Sequence, residues 1–155
     1  MTEDSLEGFA DNLCRLMPIF AREFIRGETN EFFHDQITPP QFLALDFIFR
    51  NGESKMKDLA SFMKVSTAAT TGIVDRLVKA GYVKRLFDAD DRRIIKLGLT
   101  PKGGELVRRI NEQRRKMTMR VFAKVSQRDR ADYLRIITQI RDALAKEELA
   151  LKVSS

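Results

Sequence analysis

The stretch "RLFDADDRRIIKLGLTPKG", Arg85–Gly103, contains two short apolar segments on either side of a charged turn. The segments "YVKRLF" and "IIKLGL" are rich in the β-branched and aromatic residues typical of strands, and "DADDRR" between them is rich in turn residues. The sequence therefore predicts a β-hairpin whose tip carries acids and arginines. After it, "LTPKGGEL" predicts a helix that is capped by Thr100 and has Pro101 at its first position.

Upstream of the hairpin, the sequence predicts two helices joined by a tight turn. The segment "KMKDLASFMK" is followed by "VS" and then by "TAATTGIVDRLVKAGYV". Ser66 is positioned to cap the second helix, and Gly81 can supply the left-handed residue that ends it. Because the hairpin follows this pair directly, the sequence predicts a winged helix-turn-helix.

The second helix of the pair has one apolar and one polar side. We expect an inward stripe of Ala69, Ile73, Leu77 and Ala80, with Val74 beside it. The expected outward residues are short or polar: Thr67, Ala68, Thr71, Asp75, Arg76 and Lys79, with Thr70 near the edge. Short polar side chains let a helix approach base edges and phosphates closely, and its N-terminal amides favour a phosphate.

Local signals also predict the remaining helices. Apolar residues recur at spacings of three and four from Leu6 onward, which predicts a first helix ending near "RGETN". Thr38 and Gln41 have the spacing of a capping box for the second helix, and "NGES" ends that helix and provides Ser54 as the next cap.

Composition limits the classes of function that are open. With 155 residues, of which 43% are hydrophobic, the chain predicts one domain, or a domain with an oligomerisation arm. No apolar run has the length of a membrane span, and the acidic start "MTEDSLEGF" is unlike a secretory signal, so we expect a cytoplasmic protein without membrane contact. One cysteine and one histidine predict neither a disulfide nor a zinc site, and we expect no cofactor and no catalytic residues.

The net charge of +6 is unevenly distributed. Residues 1–50 carry four Lys/Arg and nine Asp/Glu, whereas residues 51–104 carry eleven and six, and residues 105–155 carry thirteen and seven. Such an excess is consistent either with solvated helix faces or with binding to a polyanion. The winged helix-turn-helix favours the polyanion.

The arginines at the hairpin tip have a physical reason if the partner is DNA. A wing beside a helix in the major groove reaches the neighbouring minor groove, whose narrow and negative interior attracts arginine. Because acids repel phosphates unless they are paired, we expect Asp91 to hold Arg93 or Arg92 in a fixed fork. For Asp88 and Asp90, a self-neutralised solvated turn is the alternative.

The segment Ser66–Gly103 resembles the recognition helix and wing of the MarR family of bacterial transcriptional regulators. The usual run in that family is "DRL…GY/LV.R…D..DRR…L.LT..G". The matching residues are Asp75, Arg76, Leu77, Gly81, Arg85, Asp88, Asp91, Arg92, Arg93, Leu97, Leu99, Thr100 and Gly103. The resemblance is specific over about a quarter of the chain, and the flanking helices agree with the family in layout.

The resemblance implies a mainly α fold with a small β-wing, a winged helix-turn-helix at residues 37–103 and a helical dimerisation region formed by residues 1–36 and 104–155. It implies a transcriptional regulator, a homodimer that binds pseudo-palindromic double-stranded DNA and represses until a small effector releases it. The implied DNA-binding residues are Ser66, Thr67, Ala68, Thr70, Thr71, Arg76, Asp91, Arg92 and Arg93.

The last predicted helix fits such a dimerisation arm independently. Ser126 can cap it, and apolar residues recur along one side of "DYLRIITQIRDALAKEELAL". The stripe consists of Leu134, Ile137, Ile140 and Leu144, and ends at Glu148. It exceeds what a small winged domain needs for its core, although each residue could instead pack within one chain.

An effector and a redox function are further hypotheses. A small aromatic or anionic effector would meet Arg22, His34 and Phe42, although a core role is the simpler account of the phenylalanine. Cys14 could sense oxidants with help from Arg15, as in a thiol-sensing branch of the family, or could be a small buried hydrophobe. A winged helix that contacts only protein is the remaining alternative, and it would favour an apolar patch in place of the threonines.

Overall fold

In a computed structural model, residues 5–34, 37–91 and 93–153 are described, and residues 24–34 and 152 are described by their backbone alone. The protein is mainly helical and has a small antiparallel sheet, as predicted. The elements are α1 (Leu6–His34), α2 (Pro39–Asn51), β1 (Ser54–Lys55), α3 (Met56–Met63), α4 (Thr67–Lys79), β2 (Val83–Phe87), β3 (Ile95–Leu99), α5 (Pro101–Phe122) and α6 (Gln127–Val153).

The predicted hairpin is present and forms two of the three strands of the sheet. The strand order of the sheet is β1-β3-β2, and β2 pairs with β3 from Val83 opposite Leu99 to Phe87 opposite Ile95.

The short strand β1 was not predicted. Ser54 lies in β1 opposite Leu97, and its hydroxyl donates to the carbonyl of Gly52 at 3.1 Å. The predicted cap role of Ser54 is therefore wrong, because pairing in the sheet moves the start of α3 beyond Lys55.

The caps predicted for α2 and α6 are confirmed by their hydrogen bonds, whereas α1 extends to His34, past the end predicted near "RGETN". Thr38 and Gln41 form both bonds of the capping box, at 3.4 and 2.9 Å. Ser126 accepts from the backbone amide of Asp129 at 3.1 Å at the start of α6. Gly81, after α4, has a φ of 78°, the left-handed conformation that glycine adopts without steric cost.

The chain divides into two compact units, Met1–Arg115 and Lys116–Ser155. In the first unit, α2, α3, α4, the sheet and the start of α5 share one hydrophobic core. Its largest fully buried side chains include Leu45, Ile48, Leu59, Leu77, Leu97, Leu106 and Ile110. This core fixes α4 and the hairpin relative to each other, since both contribute to it.

The first and last helices carry apolar side chains that the single chain leaves exposed. On α1, the exposed large apolar residues include Leu6, Phe9, Leu13, Leu16, Met17, Ile19 and Phe20. On α6, considered by itself, they include Leu134, Ile136, Ile137, Ile140, Leu144, Leu149 and Leu151.

In the part of the chain that the structure describes, no helix combines the length and the apolar character needed to cross a membrane.

Candidate nucleic-acid interface

The N-terminus of α4 is an exposed, capped helix end. The hydroxyl of Ser66 accepts from the backbone amide of Ala69 at 3.1 Å, as predicted. Ser66, Thr67, Ala68 and Ala69 are exposed. The amides of this first turn carry the positive end of the helix dipole, so the surface offers short side chains and backbone N–H groups to an anion.

The predicted stripe of α4 is confirmed at Leu77 and at its neighbour Val74, but is wrong at Ala69 and Ala80. Thr70, Val74 and Leu77 are fully buried, whereas Ala69 and Ala80 are exposed. Thr70, which was predicted near the edge of the outward surface, lies inside the core, and its hydroxyl donates to the carbonyl of Ser66 at 3.0 Å. That bond satisfies the hydroxyl, so the side chain packs into the core without an unpaired polar atom. A buried side chain cannot reach a base edge, and Ala69 occupies the exposed position instead.

Two of the predicted outward residues of α4 present polar groups at the surface. Thr71 is half-buried, and its hydroxyl donates to the carbonyl of Thr67 at 2.8 Å, which leaves the oxygen lone pairs for a further donor. Arg76 is exposed in the last turn of the helix. The exposed side of α4 therefore has hydroxyls at its start and a cation near its end.

The tip of the hairpin, residues 88–94, is organised by Asp88. Its carboxylate accepts from the backbone amides of Asp90 and Asp91 at 3.0 and 3.3 Å and lies 2.7 Å from the ammonium of Lys96. The Lys96 hydrogen bond, followed by the two amides, lowers the pKa of Asp88 to about 2. The charge of Asp88 is thus neutralised by Lys96 of β3, a partner that was not predicted from the sequence.

The second acid of interest, Asp91, contacts the backbone of Arg93. Its carboxylate accepts from the amide N–H of Arg93 at 2.9 Å, which makes a local turn. The predicted fork between Asp91 and the guanidinium of Arg93 is therefore wrong. The physical reason is spacing, because an aspartate reaches the amide two residues ahead in a tight turn. Arg93 is exposed, and Arg92 lies outside the described residues.

The wing and the recognition helix are joined by an ion pair that the sequence analysis did not predict. The guanidinium of Arg85 on β2 lies 2.5 Å from the carboxylate of Asp75 on α4. Both residues belong to the matching run named above, but their separation of ten positions gives no periodic signal. Pairing between a residue of a helix and a residue of a strand is decided by the tertiary fold.

The predicted effector residues have different surroundings. Phe42 belongs to the buried core, and the guanidinium of Arg114 lies 5.2 Å from its ring. Arg22 is exposed and lies 3.6 Å from the carboxylate of Glu23. The side chain of His34 lies outside the described residues. The burial of Phe42 agrees with its simpler account as a core residue, and an effector site at these residues stays a prediction.

A cleft of about 690 Å³ lies elsewhere, between the end of α2, the sheet and the start of α5. It is lined by Phe49, Leu86 and the backbone of Gly98, and by Arg108, whose guanidinium lies 5.9 Å from the Phe49 ring. Its charged side chains have both signs, since Lys84 and Arg108 face it together with Glu53 and Glu105. The cleft therefore shows no preference for one sign of ligand charge.

Cys14 on α1 is exposed in the single chain, so the account of this thiol as a buried hydrophobe does not hold there. The guanidinium of Arg15, which was the predicted activator, donates to the side chain of Asn12 at 2.8 Å. Redox sensing at Cys14 stays a prediction.

Comparison with known proteins identifies the domain. Residues 37–95 match the model of the MarR family. Over 148 residues, the chain is 26% identical to the uncharacterized HTH-type transcriptional regulator YsmB of Bacillus subtilis, covering 95% of this chain and all of that one.

Two solved structures extend the comparison to the fold. RV1404 from Mycobacterium tuberculosis is 27% identical, with a TM-score of 0.77 over 92% of this chain and 97% of that one. A point mutant of MepR from S. aureus, bound to an oligodeoxyribonucleotide, is 18% identical, with a TM-score of 0.62 over 84% of this chain and 96% of that one. At that identity the likeness shows the fold alone.

Proposed function

This chain carries a MarR family domain, and on that premise we propose that it is a cytoplasmic transcriptional regulator that binds double-stranded DNA as a homodimer. One observation carries the proposal. The exposed, Ser66-capped end of α4 is followed within the same core by a hairpin whose tip presents Arg93 to solvent. A helix of this kind enters the major groove and a basic tip suits the adjacent minor groove.

The DNA contacts follow from exposure. Ser66, Thr67, Ala68, Thr71 and Arg76 face the major groove and its phosphates. Arg93 enters the minor groove with Arg92, and Asp91 positions the Arg93 backbone through their 2.9 Å hydrogen bond. Ala69 joins this surface and Thr70 leaves it, since Thr70 is fully buried. Phosphate contacts by the arginines give affinity, and contacts from the helix give sequence preference.

Dimerisation through residues 1–36 and 104–155 is the second part of the proposal. The apolar side chains of α1 and α6 support it, since residues such as Phe9 and Leu144 are 58% and 59% exposed in a single chain. Exposed apolar side chains in such number on each of these helices indicate an interaction site, and a second copy of the chain is the partner that a two-fold operator requires. Two recognition helices then read half-sites one helical turn of DNA apart, or a multiple of it.

Regulation is the third part. A dimer that covers promoter DNA represses by occlusion, and an effector releases it by binding better to a conformation whose helix spacing misfits the half-sites. A small aromatic or anionic compound would meet Arg22, the exposed cation among the predicted effector residues. Titration of benzoate into the protein–DNA complex tests this: dissociation in the wild type and weaker dissociation in Arg22→Ala support it, and no dissociation contradicts it for this class of compound.

The deciding experiment is selection of tight binders from a pool of random duplexes at two salt concentrations, followed by anisotropy titrations. We expect enrichment of a two-fold-symmetric site and affinity that falls steeply with salt. Salt-sensitive binding without enrichment would indicate a non-specific architectural protein. No binding to any duplex would contradict the proposal and favour a winged helix that contacts protein.

A further inference from the structure

The Asp75–Arg85 ion pair lies where the recognition helix meets the wing. Asp75 is exposed on α4, on the side that also carries Thr67 and Thr71 at four-residue intervals. Its side chain is 55% exposed, so it faces the solvent space that DNA occupies in the proposed complex. An unpaired carboxylate at that position would repel phosphates.

Arg85 reaches Asp75 because of the register of the sheet. It lies directly opposite Leu97, which is fully buried, and opposite residues on antiparallel neighbours share a face of the sheet. That face packs against α4 through the core residues Val74 and Leu77. The Arg85 side chain therefore emerges at the edge of the core beside α4, 37% exposed, and its 2.5 Å contact occupies a guanidinium that could otherwise bind a phosphate.

We propose that Asp75 is a positioning residue, which holds Arg85 away from the DNA phosphates and keeps the junction of helix and wing electrically neutral. Each cation that contacts phosphate strengthens binding to any sequence, whereas base contacts strengthen binding to the operator. Neutralising Arg85 thus removes one sequence-independent contact. The inference rests on the proposed function, because it concerns DNA binding by α4 and the wing.

Asp75→Asn is the informative variant, because asparagine keeps the size of the side chain and removes its charge. The released Arg85 should add one phosphate contact, so the slope of log affinity against log salt on random duplex steepens by about 0.9. Affinity at low salt should rise severalfold for random duplex and for operator alike, since the added contact does not depend on sequence.

Two further variants separate this role from a merely structural one. In the double variant Asp75→Asn/Arg85→Gln, no cation is released, so the salt slope should return to that of the wild type. If Asp75→Asn only damaged the fold, the second substitution would not restore the salt slope. Thermal unfolding of each protein checks the fold directly. Asp142→Asn is the matched control, since Asp142 pairs with Arg141 at 2.7 Å on α6 and its loss frees an arginine away from the junction.

The outcomes are distinguishable from those of the proposed function. A steeper slope for Asp75→Asn, with recovery in the double variant and a smaller change for Asp142→Asn, supports the inference. A wild-type slope for Asp75→Asn, or no recovery in the double variant, overturns it, as does an equal change in Asp142→Asn. Absence of an enriched operator in the wild type overturns the sequence-specific binding of the proposed function, while the slopes on random duplex still test the ion pair. A wild type that binds no duplex overturns both.

Discussion

Gly103, in the first turn of α5, lies so close to the backbone carbonyl of Tyr82 that a Cβ atom at Gly103 would overlap the carbonyl oxygen. The contact belongs to a junction between the end of α4 and the start of α5. Thr100 donates its amide to the Tyr82 carbonyl at 3.0 Å and its hydroxyl to that of Gly81 at 2.6 Å. Lys102 donates to the Ala80 carbonyl at 2.9 Å and lies 4.5 Å from the Tyr82 ring. The last turn of α4 is thereby held against α5.

This junction predicts opposite effects at two adjacent glycines. Gly103→Ala forces the Tyr82 backbone to move and should lower the free energy of unfolding by about 1–3 kcal/mol, the usual cost of overpacking. Gly104→Ala is the matched control, because a Cβ there meets only the Arg108 guanidinium at 3.8 Å. It should stabilise the helix by about 0.5–1 kcal/mol. Urea unfolding measures both, and equal stability of the two variants would refute the overlap.

Asp88 predicts a pH-dependent contribution to stability. Its folded pKa of about 2 lies below the ordinary value of 3.8, so its interactions stabilise the fold above pH 4 and are lost as the pH falls towards 2. Asp88→Asn should therefore be less stable than the wild type at neutral pH, and the difference should shrink between pH 4 and pH 2. Thermal unfolding across this range measures it. Asp90→Asn should show a smaller difference, and a pH-independent deficit in Asp88→Asn would contradict the role of the charge.

Substitution of the buried Thr70 should change stability, whereas substitution of the exposed Thr67 should change DNA sequence preference. Thr70→Ala removes a buried methyl and the 3.0 Å hydrogen bond to Ser66, and should destabilise the protein by about 1–2 kcal/mol. Thr67→Ala should change stability by less than about 0.5 kcal/mol, since exposed substitutions are usually small, and should shift the selected DNA sequence. Chemical unfolding and duplex selection on both variants decide the matter; a sequence shift in Thr70→Ala alone would restore the original prediction.

Removal of the Arg93 side chain should lower the affinity for DNA and its dependence on salt. Arg93→Ala removes one cation from the wing tip, so operator binding should weaken and the log–log salt slope should flatten by about one. Anisotropy titrations at several salt concentrations measure both quantities. Arg128→Ala, an exposed arginine of α6, is the control and should keep the wild-type slope. Unchanged affinity and slope in Arg93→Ala would remove the wing from the proposed interface.

Leu144 predicts the effect of a charge in the proposed dimer interface. It is 59% exposed in the single chain, so Leu144→Lys should preserve the fold of the monomer while weakening dimerisation by at least tenfold, about 1.4 kcal/mol. Sedimentation equilibrium measures the dissociation constant. Phe87→Lys, at a 73% exposed apolar residue of the wing strand β2, is the matched control and should dimerise normally. A Leu144→Lys protein with wild-type dimerisation would exclude this part of α6 from the interface.

The amino-acid sequence by itself determined the local elements of this protein. Helix caps such as Thr38, Ser66 and Ser126, the left-handed Gly81 and the hairpin around residues 88–94 depend on contacts within a few residues, so their signals are readable in order along the chain. The same local run carried the family resemblance. The match of the MarR family model to residues 37–95 confirmed this resemblance.

The tertiary structure alone decided that Thr70 belongs to the buried face of α4 and what joins α4 to the wing. Thr70 is inside because its hydroxyl is satisfied by the Ser66 carbonyl and the core then accepts its methyl, an outcome that helical periodicity does not distinguish from a position at the edge. Asp75 meets Arg85, and Lys96 meets Asp88, through strand register and packing. Such pairs connect residues that are distant along the chain, and only the folded core determines which of them come within reach.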